Sequence, residues 1–226
     1  MKKLITVILS IVVCISLYAQ KDVTKFLGFP VDGSKSELIK NLKTKGFRLT
    51  TVGDTDMLTG RFNGSDVQVF ISTENGKVSR VMVCDENSVG ETDIKIRFNR
   101  LCRQFMNNGK YLSLKDYTIS DDEDISYEMA VRNKRYEAIF YQLPEGVGLE
   151  ALQTSILKKA QPKYSQEQLE NPTDDLKAQL FAECTTDLLQ SVQNKPVWFM
   201  ISEYHGKFYI TMFYDNEYNR AQGEDL

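Results

Sequence analysis

The chain is poor in the residues that most often carry chemistry. It has one histidine (His205), one tryptophan (Trp198) and four cysteines. A lone histidine rules out the usual clustered His/Cys metal centre. It also stands next to Gly206, where it reads as a turn residue tolerating positive φ, the place Asn75 holds before Gly76. A Ser-His-Asp or Cys-His pair would have to be built around that turn. No GxSxG, HExxH, P-loop or GxGxxG pattern occurs. These residues imply neither a metal nor a cofactor. The run Asp121-Asp122-Glu123-Asp124 lacks the glycine and the twelfth-position glutamate of a calcium loop, and is expected to be an exposed acidic loop.

Other absences bound the fold class. Glycine and proline are too scarce, and apolar residues at 42% too abundant, for a collagen-like or disordered chain. A net charge of −3 gives no basic footprint for nucleic acid.

One long apolar run is present. Lys2 and Lys3 precede a nearly unbroken stretch from Leu4 to Tyr18, and Ala19 then offers a small residue before Gln20. Residues 1–19 are therefore expected to be a signal peptide cleaved near Ala19, leaving a protein that is periplasmic or secreted. The run falls short of the roughly 20 residues that span a bilayer, and no transmembrane segment is expected in the mature chain. Cys14 lies inside the run behind Val13, which does not suit lipid attachment. Loss of Lys2 and Lys3 would take the net charge to −5. Cys84, Cys102 and Cys184 remain. They are read as buried small apolar side chains, although one bridge among them is open.

Residues 20–226 read as one domain. Ser34 to Glu37 has the form of a capping box, and Leu38, Ile39 and Leu42 follow at helical spacing, which predicts a helix over 35–45 ended by Gly46. Asn63-Gly64 and Asn75-Gly76 predict tight hairpins joining strands 57–62, 67–73 and 78–84. Ile94, Phe98, Leu101 and Phe105 form one stripe of a helix over 92–108. Lys95, Arg97, Arg100 and Arg103 are expected on its solvated side. A hairpin of strands 126–132 and 135–142 is expected to turn at Asn133-Lys134. Weak helical spacing covers 149–160. Asn171-Pro172 opens a helix marked by Leu176, Leu180, Cys184 and Leu188, and a final hairpin runs over 197–214.

The stretch Val67–Asp85 aligns without gaps on Val197–Asp215, with seven of 19 positions identical, among them the Gly-Lys of the turn and the closing aspartate. This echo suggests two pseudo-repeated halves, 20–115 and 116–226. With His205-Gly206 as the turn, residues whose numbers sum to 411 face each other. Val197, Phe199, Ile201, Phe208, Ile210, Met212 and Tyr214 then form a core face. The opposite face carries Trp198, Met200, Tyr204, Tyr209 and Phe213. If it is wet, it is a candidate surface for a protein or for sugar rings; the alternative is that a helix or the acidic tail covers it.

Two segments carry a family resemblance. One is Phe26-Leu-Gly-Phe-Pro-Val-Asp-Gly-Ser-Lys-Ser-Glu-Leu-Ile39, continuing to Gly46-Phe47, and the other runs from Tyr214 to Leu226. Through them the chain resembles an uncharacterised family of secreted proteins from Bacteroides-type bacteria. The resemblance implies export and a small α+β domain, and brings no activity, cofactor or catalytic residue. The helix-then-meander units are also loosely similar to the β-lactamase-inhibitor-protein fold, by analogy alone.

The expectation is an α+β fold: antiparallel hairpins and meanders with about three or four helices packed mainly on one face. Its function is expected to be non-catalytic binding of a protein or glycan. The alternative is a hydrolase using two carboxylates whose spatial separation the sequence does not disclose.

Overall fold

The computed structural model describes residues 22–53, 55–144, 163–165, 168, 173–176, 179, 182, 186, 192, 195–217 and 219. The leader 1–19, the segment 149–160, the cap at Asn171-Pro172, Cys184, Tyr218 and the end of the chain from 220 lie outside them. Described residues 174–176, 179, 182, 186 and 192 are helical. Among the described residues no helix is long and apolar enough to cross a membrane.

The protein is α+β. A short antiparallel pair, β1 (Lys25–Phe26) and β2 (Phe29–Pro30), turns through Leu27 and Gly28, both at positive φ. Helix α1 (Lys35–Thr44) starts where the Ser34 hydroxyl accepts from the Glu37 amide, and Gly46 at φ +90° lets the chain leave it. Four strands follow: β3 (Arg48–Val52), β4 (Thr55–Phe62), β5 (Ser65–Glu74) and β6 (Lys77–Asp85). Helix α2 (Glu91–Met106) then leads to β7 (Tyr111–Ser113), α3 (Ile125–Arg132), β8 (Glu137–Gln142), β9 (Pro196–Tyr204) and β10 (Lys207–Asp215).

Eight of these strands form one antiparallel sheet in the order β3-β4-β5-β6-β10-β9-β8-β7. On each side of the β6–β10 junction the chain runs through a helix and then lays four strands from the sheet edge inward, with α3 as an extra helix on the second side. The topological midpoint therefore falls between Asp85 and Glu91 rather than near residue 115. The two echoed hairpins are neighbours, and their turns match: Asn75 and Gly76 have φ of 50° and 77°, His205 and Gly206 of 51° and 71°.

Alternation along the strands gives the sheet two faces, with a register shift between Ser72 and Thr73 and with Thr211, Phe213 and Asp215 of the second face buried on β10. Ala138, Phe199, Met212, Val83, Val69 and Leu58 stand in register across six strands and are all buried. Helix α2 closes this face, with Phe98 and Phe105 against Phe199 and Phe140 at ring separations of 4.7–5.8 Å. Leu38 and Leu42 of α1 are buried in the same core. The final hairpin pairs as the 411 rule requires, and every residue of its expected core face is at most 4% exposed.

One expected hairpin is absent. Residues 126–132 are helix, because Asp124 accepts from the Tyr127 amide as an N-cap and Ile125 is buried beneath. Asn133, expected to turn a hairpin, is instead the left-handed C-cap at φ 52°. Strand β8 then follows α3 directly and pairs with β7 on one side and β9 on the other.

Candidate functional site

Two features face outward with enough apolar surface to matter: the sheet face opposite α1 and α2, and a cleft beside the N-terminal hairpin. The outer face is built from the strand positions that alternate with the core. Ile139, Trp198, Phe213, Met82 and Phe70 pair across β8, β9, β10, β6 and β5. Four of them are half-buried, and Phe213 is 9% exposed. Each strand thus contributes one large apolar side chain to a single row perpendicular to the strands.

The centre of the row is locked. Trp198 stacks on Phe213 at 4.0 Å with an 18° interplanar angle, and the Arg80 guanidinium lies 4.8 Å from the Phe213 centroid. Asp215 accepts from Arg80 Nε and Nη2 at 2.6 and 2.9 Å and from Trp198 Nε1 at 2.9 Å. Its carboxylate is nearly buried while Arg80 keeps partial exposure. Asp215 is in turn held through its backbone carbonyl, which accepts from the Thr24 hydroxyl at 2.5 Å. One charge, one guanidinium and one indole N–H satisfy each other, so the rings cannot swing freely.

The sequence-predicted surface residues are only partly brought together. Trp198 and Phe213 are in contact, but Phe213 lies under its neighbours and offers little surface of its own. Met200 is half-buried and pairs with Thr211 and Glu137, and Tyr209 is half-buried opposite Ser202. Tyr204 stands apart at the hairpin tip, 66% exposed and edge-on to His205 at 4.2 Å. Arg80, Met82, Phe70, Ile139 and Asp215 belong to the same face and were not singled out from sequence. The gapless echo did not point to them: it sets Phe70 on Met200 but Met82 on the core residue Met212, because the β5–β6 pairing shifts register between Ser72 and Thr73.

On the basic side of α2, Arg100 and Arg103 are exposed as expected, whereas Arg97 and Lys95 are tied to the protein. Arg97 clamps Asp85, whose carboxylate also accepts from the Ile210 amide at 3.2 Å, with side-chain exposures of 12% and 7%. Lys95 donates to the carbonyls of Asp121 and Glu123. The acidic run is a loop as expected, and its carboxylates have structural work. Asp124 caps α3, and Glu123 accepts from Lys134 and from the Tyr136 hydroxyl. The Lys134 and Tyr136 bonds hold the Glu123 carboxyl below its ordinary value. Tyr136 is pushed up, by burial first and then by Glu123. Among the described residues no group of three His, Cys, Asp or Glu could hold a metal ion. Cys102 is buried, and desolvation pushes its thiol up to about 12. Cys84 is half-buried and also raised, and both are free thiols.

The cleft encloses about 900 Å³. It lies between the N-terminal hairpin, the β4–β5 turn, the end of α2 and the end of β8. Among its described lining residues the only acid is Asp22, so no second carboxylate faces it there. Gln142 ties its walls together: its side-chain oxygen accepts from the Lys25 amide at 2.7 Å, and its amide nitrogen donates to the Lys25 carbonyl at 2.6 Å.

Set against protein-family models, curated proteins and solved structures, the chain finds no match.

Proposed function

We propose that this is an exported, non-catalytic binding protein whose outer sheet face docks a protein partner. The observation carrying the reading is the in-register row Ile139–Trp198–Phe213–Met82–Phe70, half-buried except for the buried Phe213 and braced by Asp215 and Arg80. Preorganised apolar side chains bind at small entropic cost, because the rings are already fixed. An aromatic and methionine centre with arginine beside it also has the composition of a protein-binding patch.

A protein suits this face better than a glycan. Trp198 is stacked on Phe213 on one strand and flanked by Ile139 on the next. A ring standing between cross-strand neighbours turns an edge outward, whereas sugars dock on an open ring face. Its indole N–H is already spent on Asp215. The hydrolase alternative finds no paired carboxylates in the described lining of the cleft. The same reading takes the two halves as products of duplication. The seven identities of the echo, the matched turns and the mirrored strand order support it.

A photo-crosslinking residue placed at Phe70 or Tyr209 in the producing cells tests the proposal. The expected result is one discrete protein adduct shared by both positions and missing when the probe replaces Tyr127, an exposed residue of α3. The same adduct from Tyr127, or none from the two sheet positions, would overturn it.

A further inference from the structure

The cleft beside the N-terminal hairpin is lined by a phenol that has nothing to bond. Tyr214 is 3% exposed, yet its hydroxyl makes no hydrogen bond among the described residues. Among those residues Arg97 Nη1 is the one buried side-chain polar atom sealed off without a partner. The Tyr214 hydroxyl therefore keeps an opening, and the cleft that Tyr214 lines supplies it. A buried hydroxyl left unbonded is costly, so this one is a standing donor for whatever enters.

Tyr111 lines the same cleft. Its hydroxyl accepts from Gln142 Nε2 at 3.3 Å, which leaves its own proton unspent among the described residues. Burial, and after it the neighbouring Tyr111, push the Tyr214 phenol up, and burial raises Tyr111 too, so both stay protonated donors. The surroundings are apolar. Phe105 stands edge-on to Tyr111 at 4.7 Å, and the buried residues of the described lining, Val23, Phe105, Leu143 and Tyr214, carry no charge. The exposed Arg61 and Lys110 lie at the rim. The walls are also set in advance, because Gln142 bonds both the amide and the carbonyl of Lys25. The volume of about 900 Å³ lies within the ~300–1,000 Å³ typical of small-molecule sites.

We propose that this cleft binds a small neutral carbonyl compound, its apolar body against Phe105 and Leu143 and its carbonyl oxygen accepting from the Tyr214 hydroxyl, with Tyr111 as a second donor. A charged head group at that depth would lose its hydration without gaining a counter-charge from the buried described lining, which selects the neutral acceptor.

Titration of the full chain with acetophenone and with ethylbenzene, followed by NMR, tests this. The two ligands differ by a carbonyl in place of a methylene and differ in their own hydration, so the measure is what each loses when the hydroxyl is removed. Tyr214→Phe should weaken acetophenone about fivefold and leave ethylbenzene unchanged. Tyr111→Phe should weaken acetophenone about twofold, and Tyr127→Phe on α3 should change neither ligand. Because the hydroxyl serves no bond within the described fold, the free Tyr214→Phe protein should melt no lower than the parent. No saturable binding of acetophenone, an equal change for both ligands in Tyr214→Phe, or a lowered melting point of that variant would overturn the proposal. The outcome is separate from the sheet-face reading, since Tyr214 belongs to the core face and none of the residues tested lies in the Trp198 row.

Discussion

Residues one position apart in the same strands meet opposite fates. Phe199, Met212, Val83 and Val69 lie at 0–3% exposure beneath α2. Their neighbours Trp198, Phe213, Met82 and Phe70 form a parallel row on the other side, three of the four half-buried. The inner row is hydrocarbon packed on hydrocarbon. The outer row has the same bulk but is organised by a carboxylate, a guanidinium and an indole N–H. The difference teaches how to tell a core from a docking face when both are apolar. A core row is held by excluding water, whereas this outer row is held by a polar brace that remains in place at partial exposure.

The contrast can be broken in graded steps. Phe199→Ala removes a fully buried ring wedged among Phe98, Phe105 and Phe140, and should cost about 3–5 kcal/mol by urea denaturation. Asp215→Ala leaves Arg80 and the Trp198 N–H without their shared acceptor and should cost about 2–4 kcal/mol. Trp198→Ala, half-buried, should cost only about 1–2 kcal/mol while abolishing the crosslinked adduct. A loss as large as that of Phe199→Ala would make the outer row a second core.

The smallest effects sharpen the picture at the edges. The Ser126 hydroxyl, and after it the Ile125 and Ser126 amides, hold the Glu91 carboxyl below its ordinary 4.5. Its contribution is present above that value and fades as pH falls through the lowered one. Glu91→Gln should therefore remove this small contribution at neutral pH and leave the strongly acid end unchanged, so that the acid limb flattens below about pH 4.5, by thermal melts across pH; Glu91 is too exposed for a large effect. Tyr204→Ser at the hairpin tip should shift stability by less than about 0.5 kcal/mol.

Much of this fold was legible in local patterns. Asn-Gly pairs placed two hairpins, the Ser34 cap placed α1, and the sum rule for the last hairpin sorted its core face correctly. Reading failed at 126–132, where β-compatible residues obey an N-cap at Asp124 and a buried Ile125. Asn133 accepts a left-handed conformation equally as hairpin turn or helix cap, so local sequence could not separate the two. Strands β3 and β7 lie at the sheet edges and show little alternation. The outer face was legible as a list of side chains on one hairpin. Its brace was not, because Arg80 and Asp215 are 135 residues apart and meet only through β6–β10 pairing. The described lining of the cleft draws on five separate segments and left no signal in any one of them.

Trp198 is the single tryptophan and stands in the outer row, so its fluorescence reports that face alone. The most direct test of the two-faced sheet is acrylamide quenching of the native protein. A partly accessible indole, quenched well above a core tryptophan and protected when the crosslinked partner is added, is the result this account requires. A blue-shifted emission that acrylamide barely touches would mean the face is closed, and would contradict it.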